Sequence, residues 1–322
     1  MVIDFHIHYT PPEMLGEGGQ RISVKYEDGA PSYIFHPRLG DLGQHVEAMD
    51  QAGVDLAVLS SGAGMMGTLE DCIFVNDRLR EAERNYPGRF AGLAHIPPLG
   101  GENAFRELER AAKYLGFKGV AIESSVGGVT LDSKEFWPFY ERVQELGLWI
   151  MVHPALKTIG VEYMQDYDMA RCVGREFGLQ MAIIRLINGG VFDDFPALRV
   201  QISHLGGGIA ALLGRVRSYQ DKEFWGTASH PRAGRLPKRT FDHYFYNNLY
   251  FDTGGFCGNI NAVKSALLEM RPSQVLFGTD YPQEIRSGQV VAKYLDQIRG
   301  LGLPKEDLNL ILSENGKKLL GG

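Results

Sequence analysis

Asp4-Phe5-His6-Ile7-His8 puts two imidazoles two positions apart near the start of the chain. In an extended strand alternate side chains share a face, so His6 and His8 point the same way, as do Asp4 and His6. Two buried imidazoles side by side are costly unless something satisfies them. A divalent cation does so, taking a lone pair from each neutral ring. Alone, His-x-His is a weak motif that two hydrogen-bonded core histidines would also produce.

Three further segments add to it. Ile150-Met151-Val152-His153 is an apolar run with a histidine at its end, and Gln201-Ile202-Ser203-His204 repeats that arrangement before Gly206-Gly207-Gly208. Leu276-Phe277-Gly278-Thr279-Asp280 ends instead in a carboxylate. Metal chemistry at the strand ends of one barrel accounts for this recurrence, whereas independent core histidines do not. Three imidazoles and one carboxylate suit one borderline divalent ion, Zn2+ first and Mn2+ second, with room for water or substrate. Glu123, ending another apolar run, is a further candidate, and His95 reads as a core histidine facing the same end. His36, His45, His230 and His243 fall in insertions or on helices and read as surface residues.

The glycine run could be mistaken for a dinucleotide fingerprint. It fails the Gly-x-Gly-x-x-Gly spacing because Ala211 stands at the third glycine position. A tight turn beside the site is the better reading.

The elements that must position these groups recur along the chain. Eight short apolar runs, Val2–His8, Val54–Ser60, Phe90–Ile96, Gly119–Ser124, Trp149–His153, Val200–His204, Leu249–Thr253 and Val275–Asp280, alternate with helix-length amphipathic segments such as Asn103–Leu115 and Lys134–Leu146. Strand–helix alternation of this kind predicts an α/β fold, a (β/α)8 TIM barrel forming a single domain over residues 1–322. Two long connections, Tyr9–Asp41 and Ser218–Asn248, predict insertions after strands 1 and 6 that act as lids or substrate contacts.

Composition limits the partners. The 322 residues carry 33 basic and 39 acidic side chains, a net charge of −6, which disfavours nucleic acid. No window of ~18 apolar residues predicts a membrane span, and His6, His8 and Asp4 interrupt any leader-like start. Cys72, Cys172 and Cys257 form no Cys-x-x-Cys pair, so reduced thiols in a cytoplasmic protein are expected.

Taken together these residues resemble the amidohydrolase superfamily, in particular its branch of aminocarboxymuconate semialdehyde decarboxylase and related aromatic-acid decarboxylases. The matching pieces are Asp4–His8, Met49-Asp50-Gln51-Ala52-Gly53-Val54, Val152-His153-Pro154, Asn188–Pro196, His204 with its glycines, and Phe277–Pro282. The resemblance implies that His6, His8, His153 and Asp280 bind the metal, that His204 and Asp280 move protons, and that Arg215 binds the substrate of a neighbouring subunit. Eleven helical residues span about 16 Å, so Arg215 does not readily serve the same site as His204 in one chain. Phe224, Trp225, Tyr244, Phe245 and Tyr246, with nearby arginines, add an interface-like composition and an expected homodimer. Ala155 stands where the semialdehyde decarboxylase has a tryptophan, and His6 stands where the manganese decarboxylases of the branch have glutamate, which favours zinc.

The reaction expected is metal-dependent, non-oxidative decarboxylation of an aromatic or muconate-type carboxylic acid. The same site would also suit a hydrolase or hydratase acting on a lactone, amide or C–C bond. A non-catalytic metal-binding protein is the third reading, and a large barrel has little use for a structural staple.

Overall fold

Asp41 caps the first helix, α1 (Leu42–Ala52), by accepting from the Gln44 N–H at 3.0 Å, and Gly53 ends it in a left-handed conformation. Thr68 and Asp71 form a reciprocal capping box at the start of α2 (Leu69–Asn85). Further along come α3 (Gly101–Arg110), α4 (Trp137–Glu145), α5 (Arg175–Asn188), α6 (Leu213–Ser218), α7 (Ile260–Ala266) and α8 (Gly288–Arg299). The expected helices at 103–115 and 134–146 are present, but each changes pitch: α3 runs into a π-turn at Ala111–Leu115, and α4 is entered through a 3-10 turn at Lys134–Phe136. The computed structural model describes residues 1–15, 22–23, 34–157, 160–220, 234 and 236–321.

All eight expected runs contain strand: β1 (Ile3–His8), β2 (Leu56–Ser60), β3 in two pieces (Phe90–Gly92 and Ala94–His95), β4 (Gly119–Glu123), β5 (Trp149–His153), β6 (Val200–Ile202), β7 (Leu249–Asp252) and β8 (Val275–Leu276). Each pairs in parallel with its neighbour, in chain order from β1 to β3 and again from the second piece of β3 to β8. The ring closes where Phe5 N–H donates to Phe277 O, Asp280 N–H to His6 O and His8 N–H to Tyr281 O, each at 2.8 Å. The chain is therefore an α/β barrel. β6 and β8 are shorter than their apolar runs, because strand pairing stops at Ile202 and Leu276.

One departure matters for the site. Between Asp4 and Ile7 β1 takes three steps where β2 takes two, a bulge. Simple alternation does not carry through it. Asp4 accepts from the Thr279 hydroxyl at 2.6 Å and from the N–H groups of Thr279 and His6, and does not join the histidines.

Of the two long connections, the first shows a 3-10 turn at Pro12–Met14 and an antiparallel pair, Ile22–Ser23 with Ile34–Phe35. Much of the second, residues 221–233 and 235, including Phe224, Trp225, His230 and Arg235, lies outside the described residues. A third long connection, 154–174, follows β5; it ends in a π-turn at Ala170–Gly174 that runs directly into α5.

Candidate metal and proton-transfer site

His6 and His8 end β1, His153 ends β5, and His204 and Asp280 follow β6 and β8. All five are buried at one end of the barrel. The ring centres of His6 and His8 lie 4.9 Å apart, those of His8 and His153 4.9 Å, and those of His6 and His204 5.2 Å in a stacked pair. Arg215 does not join them: it is exposed on α6, its guanidinium 5.1 Å above the Tyr219 ring.

The donor atoms are arranged for a cation. His6 Nδ1 is 3.0 Å from Asp252 Oδ1, an acceptor-only group, so the His6 proton sits on Nδ1 and Nε2 carries the lone pair. That Nε2 lies 3.1 Å from His8 Nε2, and Asp280 Oδ1 lies 2.9 Å from His8 Nε2 and 3.7 Å from His6 Nε2. Asp280 Oδ1 is buried and finds no aligned hydrogen bond at these distances. Ligand atoms of His6, His8 and His153 lie within 4.8 Å of one another, as do those of His6, His204 and Asp280. Lone pairs converging without protons between them are what a divalent ion satisfies.

Charge follows the same logic. Burial keeps His8 and His153 below their ordinary values, and neighbouring His8 and Arg175 press His153 further down, so both rings stay neutral. Burial opposes a charge on His6 as well, but Asp252 and Asp280 outweigh it and lift that ring above its ordinary value. Burial alone would raise Asp280; His6, His204 and His8 prevail and hold its carboxyl well below the usual range.

His204 differs from the other three. Its Nδ1 lies 2.9 Å from Glu176 Oε1, and its Nε2 faces Asp280 Oδ2 at 3.5 Å. Burial works against protonation, yet Glu176 and Asp280 overcome it and hold the imidazole well above its ordinary value. A ring with a carboxylate behind it and a buried, unsatisfied Nε2 in front is arranged to deliver a proton. Its position depends on unusual backbone: His204, Leu205, Gly206, Gly207 and Gly208 all have φ between 50° and 77°, one turn of left-handed helix. The tight glycine turn expected here is that turn. Gly255 cradles the ring, since a Cβ there would stand 1.9 Å from His204 Cγ.

Several contributors were not legible beforehand. Asp252 accepts from His6, from the N–H groups of His204 and Gly254, and from Gln201 Nε2 at 2.8 Å. Glu176 and Arg175 begin α5. Glu284 accepts from Cys257 N–H at 2.8 Å, and burial together with Asp280 holds its carboxyl above the usual range. Asp252 could have been found, because Leu-Tyr-Phe-Asp ends an apolar strand in a carboxylate just as β8 leads to Asp280. Glu123 ends β4 opposite His153, its carboxyl pushed up to about 7 by burial. His95 is a core residue, its Nε2 accepting from Ser61 N–H at 3.0 Å. His45 corrects the surface reading: it is fully buried, and its Nε2 bonds the His8 carbonyl at 3.0 Å. It lies on the buried face of α1 with Ala48, Met49 and Ala52. His243 is exposed and His36 half-buried.

A cleft of about 320 Å³ opens over His8 and Asp280, walled by Leu156, Arg171, Arg175 and Glu284. A larger one of about 680 Å³, between Tyr9, Asp41 and Arg78, contains none of the clustered histidines.

The amidohydrolase family profile matches residues 3–322. Gamma-resorcylate decarboxylase of Polaromonas sp. (strain JS666 / ATCC BAA-500) is 30% identical over 75% of this chain and 77% of that protein. 2-Amino-3-carboxymuconate-6-semialdehyde decarboxylase of Dictyostelium discoideum is 27% identical over 90% and 84%. Among solved structures, a dihydroxybenzoic acid decarboxylase from Polaromonas sp. JS666, with bound manganese and the inhibitor 2-nitroresorcinol, superposes with a TM-score of 0.79 at 25% identity, covering 99% of this chain and 96% of that one.

Proposed function

The chain belongs to the amidohydrolase family, and on that premise we propose that it is a metal-dependent, non-oxidative decarboxylase of an aromatic or muconate-type carboxylic acid. The observation that carries the reading is the pairing of two devices at one mouth: a set of donor atoms converging within 4.8 Å, and beside it an imidazole whose Nδ1 lies 2.9 Å from Glu176 Oε1. His6, His8, His153 and Asp280 would hold one divalent ion. When bound, such an ion polarises a substrate oxygen and acidifies water toward a pKa of about 7.

The rest is the work of the chain's own groups. Loss of the carboxylate as carbon dioxide leaves its electron pair on the substrate carbon, and His204 Nε2–H supplies the proton that carbon takes up. Glu176 keeps the proton on Nδ1 and so fixes which nitrogen reacts. Asp280, 3.5 Å from His204 Nε2, is placed to accept a proton from water or from the substrate and pass it to that ring.

Zinc is the ion we favour, because His6 supplies a neutral nitrogen donor at β1; the manganese in the related decarboxylase structure makes that ion the competitor. Arg215, exposed with Leu212 and Tyr219 on the same stretch, suits a homodimer in which it approaches the partner's substrate. The chain is read as one domain. Its three cysteines are free thiols, as the cytoplasm would keep them. No helix among the described residues is long and apolar enough to cross a membrane.

The test is to load the protein with zinc or manganese and incubate it with a panel of aromatic and muconate-type acids, reading carbon dioxide and product mass together. Gas with loss of the carboxyl mass is expected. A product made by adding water, without gas, overturns decarboxylation in favour of hydrolysis or hydration. No turnover, with unfolding on metal removal, would favour a structural ion.

A further inference from the structure

Arg175 and Glu176 are the first two residues of α5, and the π-turn at Ala170–Gly174 leads directly into them. Wider turns of this kind re-aim side chains and are frequent at functional sites. Here both neighbours enter the mouth: Glu176 reaches His204, and one Arg175 nitrogen lies 3.4 Å from His153 Nε2.

Arg175 is unlike the arginines near it. Arg171 pairs with Asp168 at 2.7 Å, Arg185 with Asp132 at 3.1 Å, and Arg217 with Asp242 and Glu269. Among the described residues Arg175 makes no ion pair, and its buried Nε has no partner. Its one polar contact is long and goes to a histidine nitrogen that an ion would claim. With that nitrogen engaged, the guanidinium fork is left facing the cleft over His8 and Asp280. A planar fork of donors with no acidic partner suits an anionic oxygen pair supplied by a ligand.

We propose that Arg175 is a substrate-binding residue that pairs with an acidic group of the substrate other than the carboxylate that leaves. This rests on the decarboxylase reading above. The substrate class is then an unsaturated or aromatic acid bearing a second acidic group. The reason is differential stabilisation. Decarboxylation removes the charge of the departing carboxylate, so a guanidinium held on it would stabilise the ground state more than the transition state. On a group that keeps its charge, the same guanidinium fixes orientation without that penalty. A cleft of about 320 Å³ accommodates one ring with two such groups.

The experiment uses the metal-loaded full chain and measures binding of benzoate, phthalate and isophthalate by titration calorimetry, with metal content recorded for every variant. The wild type should bind at least one dicarboxylate about 10-fold or more tighter than benzoate, the range of a hydrogen-bonded charge pair. Arg175→Gln should erase that preference while leaving benzoate affinity within about 2-fold, and Arg175→Lys should keep part of it. Equal binding of all three acids by the wild type overturns the proposal, as does an undiminished preference in Arg175→Gln. Loss of metal in both variants also overturns it, since Arg175 would then act through His153. Should no acid release carbon dioxide while the preference still vanishes in Arg175→Gln, the decarboxylase reading fails and the anion-binding role stands.

Discussion

On β5 the side chains that alternate inward are Trp149 and Met151, then His153; on β7 they are Tyr250, then Asp252; on β2, Val58, then Ser60; on β4, Ala121, then Glu123. Phe5 joins the lower set, its ring 5.6 Å from Trp149, and Leu319 from the C-terminal helix packs there too. Lower and upper halves of the barrel thus come from the same strands with the same alternation, yet one is apolar and the other holds most of the buried charge. The lower half is filled by packing, leaving only the Trp149 indole N–H without an acceptor among these residues: Gly119 leaves the space that Trp149 fills, since a Cβ there would lie 2.5 Å from the indole. The upper half leaves donor atoms that only a ligand satisfies. Stability resides in the first and chemistry in the second, one residue pair higher.

Ranked by effect on turnover, five substitutions test that division. His153→Ala and Asp280→Ala should lose metal and all measurable activity while keeping a folded circular dichroism spectrum; full metal occupancy in either breaks the assignment. His204→Asn should cost about 10²–10⁴ in rate with metal content intact, as for a general acid/base; parallel loss of metal would make His204 a ligand instead. Glu176→Gln should act more mildly and in a pH-dependent way. Glu176 raises the His204 pKa against burial, so its removal lowers that pKa, and the basic limb of the kcat/KM profile should move to lower pH. An unmoved limb would separate Glu176 from proton transfer. Trp149→Ala should scarcely change kcat at a temperature where the protein is folded, yet cost about 3–5 kcal/mol of stability in denaturant unfolding. If it abolished metal binding in the folded protein, the two halves would not be separable.

The sequence is legible where chemistry and periodicity coincide. His6, His8, His153, His204 and Asp280 each end an apolar run, and parallel pairing brings those ends together regardless of how the helices pack. Arg175 and Glu176 were not legible because they belong to no strand. Their placement depends on a π-turn after a long connection, and nothing in Ala-Arg-Cys-Val-Gly marks that change of pitch. Strict alternation puts Asp4 on the face of His6, and the bulge that removes it has no signature in Asp-Phe-His-Ile-His. His45 reads as a surface residue in the sequence, but a helix buries one face, and a polar residue on that face can be satisfied by a backbone carbonyl.

The left-handed turn at His204–Gly208 also bears on handedness itself. For an L-residue such backbone costs roughly 1–2 kcal/mol, so His204 and Leu205 together hold about 2–4 kcal/mol that the surrounding barrel must offset. Translation can relieve that strain only with glycine, the one achiral residue. Chemical synthesis is not so restricted. A D-residue finds this φ its own ordinary region, so D-alanine at Gly206 or Gly208 meets no backbone penalty where L-alanine does. In a chain built of L-residues and glycine, the histidine proposed to transfer the proton sits on a short piece of left-handed helix.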